Sequence, residues 1–132
     1  MSLVIPNAAE DIALKALLNH TAQNQNLTLK LFKNNVTPSE TDTVAAYTEA
    51  DFTGYSSKSL TGASWTVSSG TASYAEQTFT SSTDQTAQSI YGYFVVRATT
   101  GELMWAERFS AGPYSIQYNG DQLRVTPQIT AD

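Results

Sequence analysis

The chain has 132 residues, of which 14% are charged and 41% are hydrophobic, with twelve acids, seven bases and no cysteine. A length of this order fits one compact domain over residues 1–132 rather than two, and a core held without disulfides or thiolate-bound metal. A formal net charge of -5, with the few Lys and Arg scattered from Lys15 to Arg124, leaves no basic stripe and argues against binding nucleic acid by phosphate neutralisation.

Serine, threonine, β-branched and aromatic residues dominate, a composition suited to pleated, half-buried surfaces. The opening MSLVIPN is too short and uncharged for a secretory signal. No apolar run approaches the ~18 residues of a membrane span, so a soluble protein made in the cytoplasm is expected.

The first element is a helix predicted over about Ala8 to His20. Asn7 is placed to cap its free N–H groups, with Glu10 three residues on completing a capping box. Ile12, Ala13, Ala16 and Leu17 form an apolar stripe that Leu14 and Leu18 widen. Leu27 to Lys33 then alternates, with Leu27, Leu29 and Leu31 on one face and Thr28, Lys30 and Phe32 on the other, which predicts a strand. From Val36 to Asp51 polar punctuation predicts a long loop, in which Val44-Ala-Ala-Tyr47 is unassigned.

Further strands are predicted at 55–60, 64–68, 73–81, 89–98, 102–109, 114–118 and 123–130, with 68–73 as a polar loop and Asn119-Gly120 as a type I′ turn. Many short strands after a single helix predict a mainly β fold, a β-sandwich or jelly-roll-like barrel with one N-terminal α-helix.

The stretch SIYGYFVVRATTGELMWAERFS, residues 89–110, predicts a hairpin. A three-residue loop Thr99-Thr100-Gly101, with Gly101 left-handed, sets Ala98 opposite Glu102, Val96 opposite Met104 and Phe94 opposite Ala106. Ile90, Phe94, Val96, Met104 and Ala106 then read as the core face. The opposite face carries Tyr91, Tyr93, Val95, Arg97, Leu103, Trp105, Glu107 and Phe109, rich in the residue types that interface centres favour. Tyr91, Tyr93, Val95, Arg97, Leu103, Trp105 and Phe109 are therefore the candidate interface, covered either by the chain itself or by another subunit.

Catalytic chemistry has little to build on. His20 is the sole histidine, placed at a helix C-terminus where a cation suits the helix dipole. G-x-S-x-G is absent, and no cofactor or metal is expected. Glu40-Thr-Asp42 and Glu49-Ala-Asp51 are two E-x-D pairs without the spacing or glycine of an EF-hand; solvated acidic turns are the simpler reading, and calcium or a glycosidase-like acid pair the sharper one. The sequons at Asn19, Asn26 and Asn35 matter only in a secreted eukaryotic protein.

LKLFKNNVTP at 29–38, FTGYSSKSL at 52–60, YGYFVVRATTGELMWAERF at 91–109 and NGDQLRVTP at 119–127, with the LVIPNA opening, resemble small virion-associated proteins of tailed bacteriophages. The resemblance implies a capsid decoration or cement protein on the outside of the head, with no catalytic motif. It also implies the major capsid protein as partner, and a homo-oligomer, most commonly a trimer on a local threefold axis. A binding module of tail, baseplate or head fibre that stacks host-surface glycan on Trp65, Tyr55 and Tyr74 is the alternative.

Overall fold

A computed structural model describes residues 3–18 and 26–131. The chain is mainly β, with helix α1 (Asn7–Leu18) followed by strands β1 (Leu27–Phe32), β2 (Lys58–Leu60), β3 (Thr66–Ser68), β4 (Thr71–Ser73), β5 (Gln77–Thr80), β6 (Gln88–Ile90), β7 (Gly92–Arg97), β8 (Leu103–Arg108), β9 (Tyr114–Ile116), β10 (Gln122–Val125) and β11 (Gln128–Thr130). These form a four-stranded sheet β2-β1-β7-β8, a three-stranded sheet β11-β4-β3, and the pairs β10-β5 and β6-β9. Every pairing is antiparallel, in keeping with the sandwich-like reading. Among the described residues no helix is long and apolar enough to cross a membrane.

The helix starts one residue earlier than predicted. The carbonyl of Pro6 accepts from the N–H groups of Ala9 (2.9 Å) and Glu10 (3.2 Å), so Pro6 occupies the position assigned to Asn7 as cap. Asn7 instead donates its backbone N–H to the Glu40 carbonyl, tying the helix start to the long loop. The expected helix end at His20, with its dipole role, and the sequon at Asn19 lie outside the described residues.

Three predicted strands are each divided. Residues 89–98 split at Tyr91, because β6 pairs with β9 while β7 pairs with β1 and β8, so the chain changes sheets at that residue. Residues 123–130 split at Pro127, which has no N–H for a ladder; its carbonyl accepts from Tyr74, where the predicted 73–81 strand also breaks. The 68–73 segment is no loop but the β3-β4 hairpin. Its central residues Ser69 (φ 51°) and Gly70 (φ 77°) are both left-handed, the pattern of a type I′ turn. Asn119-Gly120 does turn, yet only Gly120 (φ 92°) is left-handed, and β9 and β10 on either side belong to different sheets.

The hairpin loop is one residue longer than predicted. Gly101 is left-handed (φ 77°) and donates to the Arg97 carbonyl, while Arg97 N–H donates to Glu102, so Arg97 rather than Ala98 faces Glu102. A β-bulge then restores the inner register: Val96 pairs with Leu103, but Val95 pairs with Trp105 and Phe94 with Ala106. Met104 is the extra residue, and the bulge exchanges the faces expected of Leu103 and Met104.

Both faces of the four-stranded sheet are buried within the chain. On one, Leu29, Leu31, Tyr93, Val95 and Trp105 meet Phe79, Ile90, Ile116, Leu123 and Val125 from the smaller sheets, forming the main core. On the other, Phe32, Phe94, Val96, Leu103 and Ala106 pack under Tyr47, with Val36 and Ala46 beside it. The second cover is the segment between β1 and β2, which holds one short 3₁₀ turn at Val44–Ala46.

That segment doubles back along β1. Lys33 N–H donates to Thr48 (2.9 Å) and Ala50 N–H to Leu31 (2.9 Å), while the Asn34 side chain bonds both Thr48 N and Ala46 O. Gly92 is required beneath it: a Cβ there would meet the Glu107 carbonyl oxygen and lie 2.5 Å from the Phe32 ring.

Trp105 is 3% exposed and belongs to the main core. Trp105→Ala is therefore expected to cost ~3–5 kcal/mol of folding stability, seen as a lower denaturant midpoint; an unchanged midpoint would place the indole outside the core.

Candidate binding surface

The seven residues expected to face a partner are mostly turned inward. Tyr93, Val95 and Trp105 lie in the main core, and Leu103 is in the second cluster with Phe94 and Val96. Tyr91 is half-buried against that second cluster, with the Arg108 guanidinium 5.2 Å above its ring. Arg97 pairs with Glu102 at 3.0 Å, and half-buried Phe109 sits 6.3 Å from Tyr93 and 5.4 Å from Tyr114. The expectation that this face seeks a cover is thus corrected: the smaller sheets supply it.

The two E-x-D pairs fasten the long segment. Asp42 accepts from the Tyr47 hydroxyl (2.7 Å) and Ser39 N–H (3.0 Å), Glu49 accepts from the Tyr55 hydroxyl (2.8 Å) and pairs with Lys30 (3.3 Å), and Asp51 binds Lys33 (2.8 Å) and Gln88 (2.7 Å). The Lys33 and Gln88 bonds hold the Asp51 carboxyl below its ordinary range. Burial, reinforced by Asp42, pushes the Tyr47 phenol well up, and burial does the same to Tyr55. Among the described residues no group of three or more His, Cys, Asp or Glu is placed to hold a metal ion.

The rings considered for glycan stacking are half-buried and engaged. Tyr55 stacks on Phe79 at 5.6 Å, and its hydroxyl accepts from Leu31 N–H. Trp65 packs edge-on to Tyr74 (5.2 Å) and to Trp105 (5.9 Å), and the Tyr74 hydroxyl accepts from Thr61 N–H.

Open apolar surface lies at the helix instead. α1 rests beside β8 with Ala9 as its one buried residue. Between it and the β11-β4-β3 sheet run two contiguous apolar grooves of about 380 and 660 Å³, with Ala72, Met104, Trp105 and Ile129 as shared floor and Ala13 and Val67 as shared walls. Met104 reaches this floor because of the β-bulge. Val67 is 73% exposed, and Leu14, Leu17 and Leu18 stand outward at 53%, 71% and 68%. Contiguous apolar exposure of this kind marks an interaction surface in soluble proteins. The predicted stripe of Ile12, Ala13, Ala16 and Leu17 is therefore only partly covered. The signal was available in the sequence: apolar residues spread over too wide an arc of α1 for one contact to hide.

A second, polar cleft of about 820 Å³ opens by the N-terminal strand, where Val4 bridges Ala106, with Tyr93, Glu107, Glu10 and Glu40 among its walls. Burial raises the Glu107 carboxyl above its ordinary range; burial first, then the Glu107 charge directly across the ladder, pushes the Tyr93 phenol up to about 12.

No protein-family model matches the chain, and no curated protein matches it.

The raised Glu107 pKa has a definite sign. Its native form holds a proton more tightly than the unfolded chain, so its contribution to stability is fully present below the ordinary Glu range, about 4.3, and is lost as pH rises through the higher native value. Glu107→Gln is expected to raise the melting temperature at neutral pH and to leave it nearly unchanged in acid. An equal shift at both would contradict the assignment.

Proposed function

We propose that this chain is a non-enzymatic structural protein of a bacteriophage particle, binding the outside of the capsid and stabilising contacts between capsomers. The observation that carries the reading is the apolar groove between α1 and the β11-β4-β3 sheet, an open concave surface floored by Met104, Trp105 and Ile129. The resemblance of residues 29–38, 52–60, 91–109 and 119–127 to small phage virion proteins supplies the setting, and the major capsid protein is the partner. Support also comes from the acids and aromatics that could have served catalysis or sugar binding: Asp42, Glu49, Asp51, Tyr55 and Tyr74 are spent on internal hydrogen bonds.

The chemistry of such docking is apolar. With a net charge of -5, the protein gains little from charge attraction to an acidic shell, and exposed pairs are worth little in any case. Apolar burial is the main favourable contribution, and it survives salt that screens surface charge.

The test is binding of the purified protein to phage heads that lack it. Binding is expected to persist from low to molar salt. Val67→Glu, at an exposed position, is expected to weaken it at least tenfold, about 1.4 kcal/mol, with an unchanged circular dichroism spectrum. Failure to bind heads, or release by salt with Val67→Glu binding like the parent, would overturn the proposal.

A further inference from the structure

We infer that two copies of this chain pair in solution through α1, antiparallel, about a twofold axis beside Leu14. The inference does not rest on a capsid role. Going round the helix, Ala9, Ile12, Ala13 and Ala16 occupy the arc nearest the body, and Leu17, Leu14 and Leu18 continue the apolar arc outward. A helix apolar over most of its circumference is one covered from more than one side. Here the body covers one side, and the three leucines remain more than half exposed. Leu14 and Leu18 stand one turn apart with Leu17 beside them, a ridge that interdigitates with a like ridge on another helix.

Charge decides what the second cover is. Asp11 and Lys15 lie in one row along one flank of the leucine ridge, 3.1 Å apart, with both side chains more than half exposed. Glu10 lies on the other flank, which carries no base. When two identical helices pack antiparallel about a twofold axis, each flank faces its own copy running the other way. Asp11 then faces Lys15 of the second copy, and Lys15 faces its Asp11. In a parallel pair, or around a threefold axis, that flank meets the flank bearing Glu10, and Asp11 is set against an acid. The antiparallel arrangement also aligns the helix dipoles favourably. The leucines supply the burial, and the charges select the arrangement.

The test is the mass of the full chain by light scattering and sedimentation over a wide concentration range, expected to rise from one copy to two. Leu14→Glu combined with Leu18→Glu is expected to leave a monomer of unchanged fold, both positions being exposed. Asp11→Lys should weaken pairing at least tenfold by setting Lys against Lys, and adding Lys15→Glu should restore it. Because the chain has no cysteine, Leu14→Cys should form a disulfide-linked pair on oxidation. A parent chain that stays monomeric, or that forms a trimer, would overturn the inference. So would pairing that survives the double glutamate variant, or a charge reversal that fails to restore pairing while helicity matches the parent.

Discussion

The stacking of Tyr47 on Phe94, with ring centroids 5.3 Å apart, holds a segment with almost no secondary structure over the second face of the main sheet. Phe32 meets the same Tyr47 ring edge-on at 5.1 Å, and the phenol hydroxyl is satisfied by Asp42. Without this cover, Phe32, Phe94, Val96 and Leu103 would face water on one side while Leu29, Leu31, Val95 and Trp105 were buried on the other. A sheet apolar on both faces needs two covers, and in this chain one is made of strands and the other of a long loop. The carboxylates that looked like site candidates are part of the same fastening, since Glu49 and Asp51 fix the loop to Lys30 and Lys33 on either side of Phe32.

What lies on the outside follows from what the covers leave over. The smaller sheets and the loop close the two sheet faces, so the helix is not needed as a lid and buries only Ala9. The β-bulge moves Met104 to the helix side, where with Trp105 and Ile129 it floors the open groove. One extra residue in β8 thus links hairpin geometry to the surface on which the functional reading rests.

Local patterns were legible in the sequence, and the partners of each face were not. The alternation of Leu27, Leu29 and Leu31 placed β1 correctly, and the inner pairs Phe94–Ala106 and Val95–Trp105 followed from the period of two. Alternation cannot say which face is covered by what, because Tyr47 reaches Phe94 from far along the chain. The outer hairpin pairs failed because a four-residue loop followed by a bulge returns to the same inner register as a three-residue loop without one. Strand ends at Tyr91 and Pro127 mark where the chain leaves one sheet for another, a topological event with no local signature beyond the proline. The Ser69-Gly70 turn escaped because Ser seldom adopts a left-handed backbone.

The central claim is that the loop between β1 and β2 is an integral cover rather than an appendage. Native-state hydrogen exchange tests it most directly, because the Lys33 and Ala50 amides donate to Thr48 and Leu31 across the loop. The account predicts that both exchange only with global unfolding, at the same free energy as the most protected amides of β1 and β7. Exchange of Lys33 and Ala50 through a separate, easier opening, with β1 and β7 still protected, would contradict it.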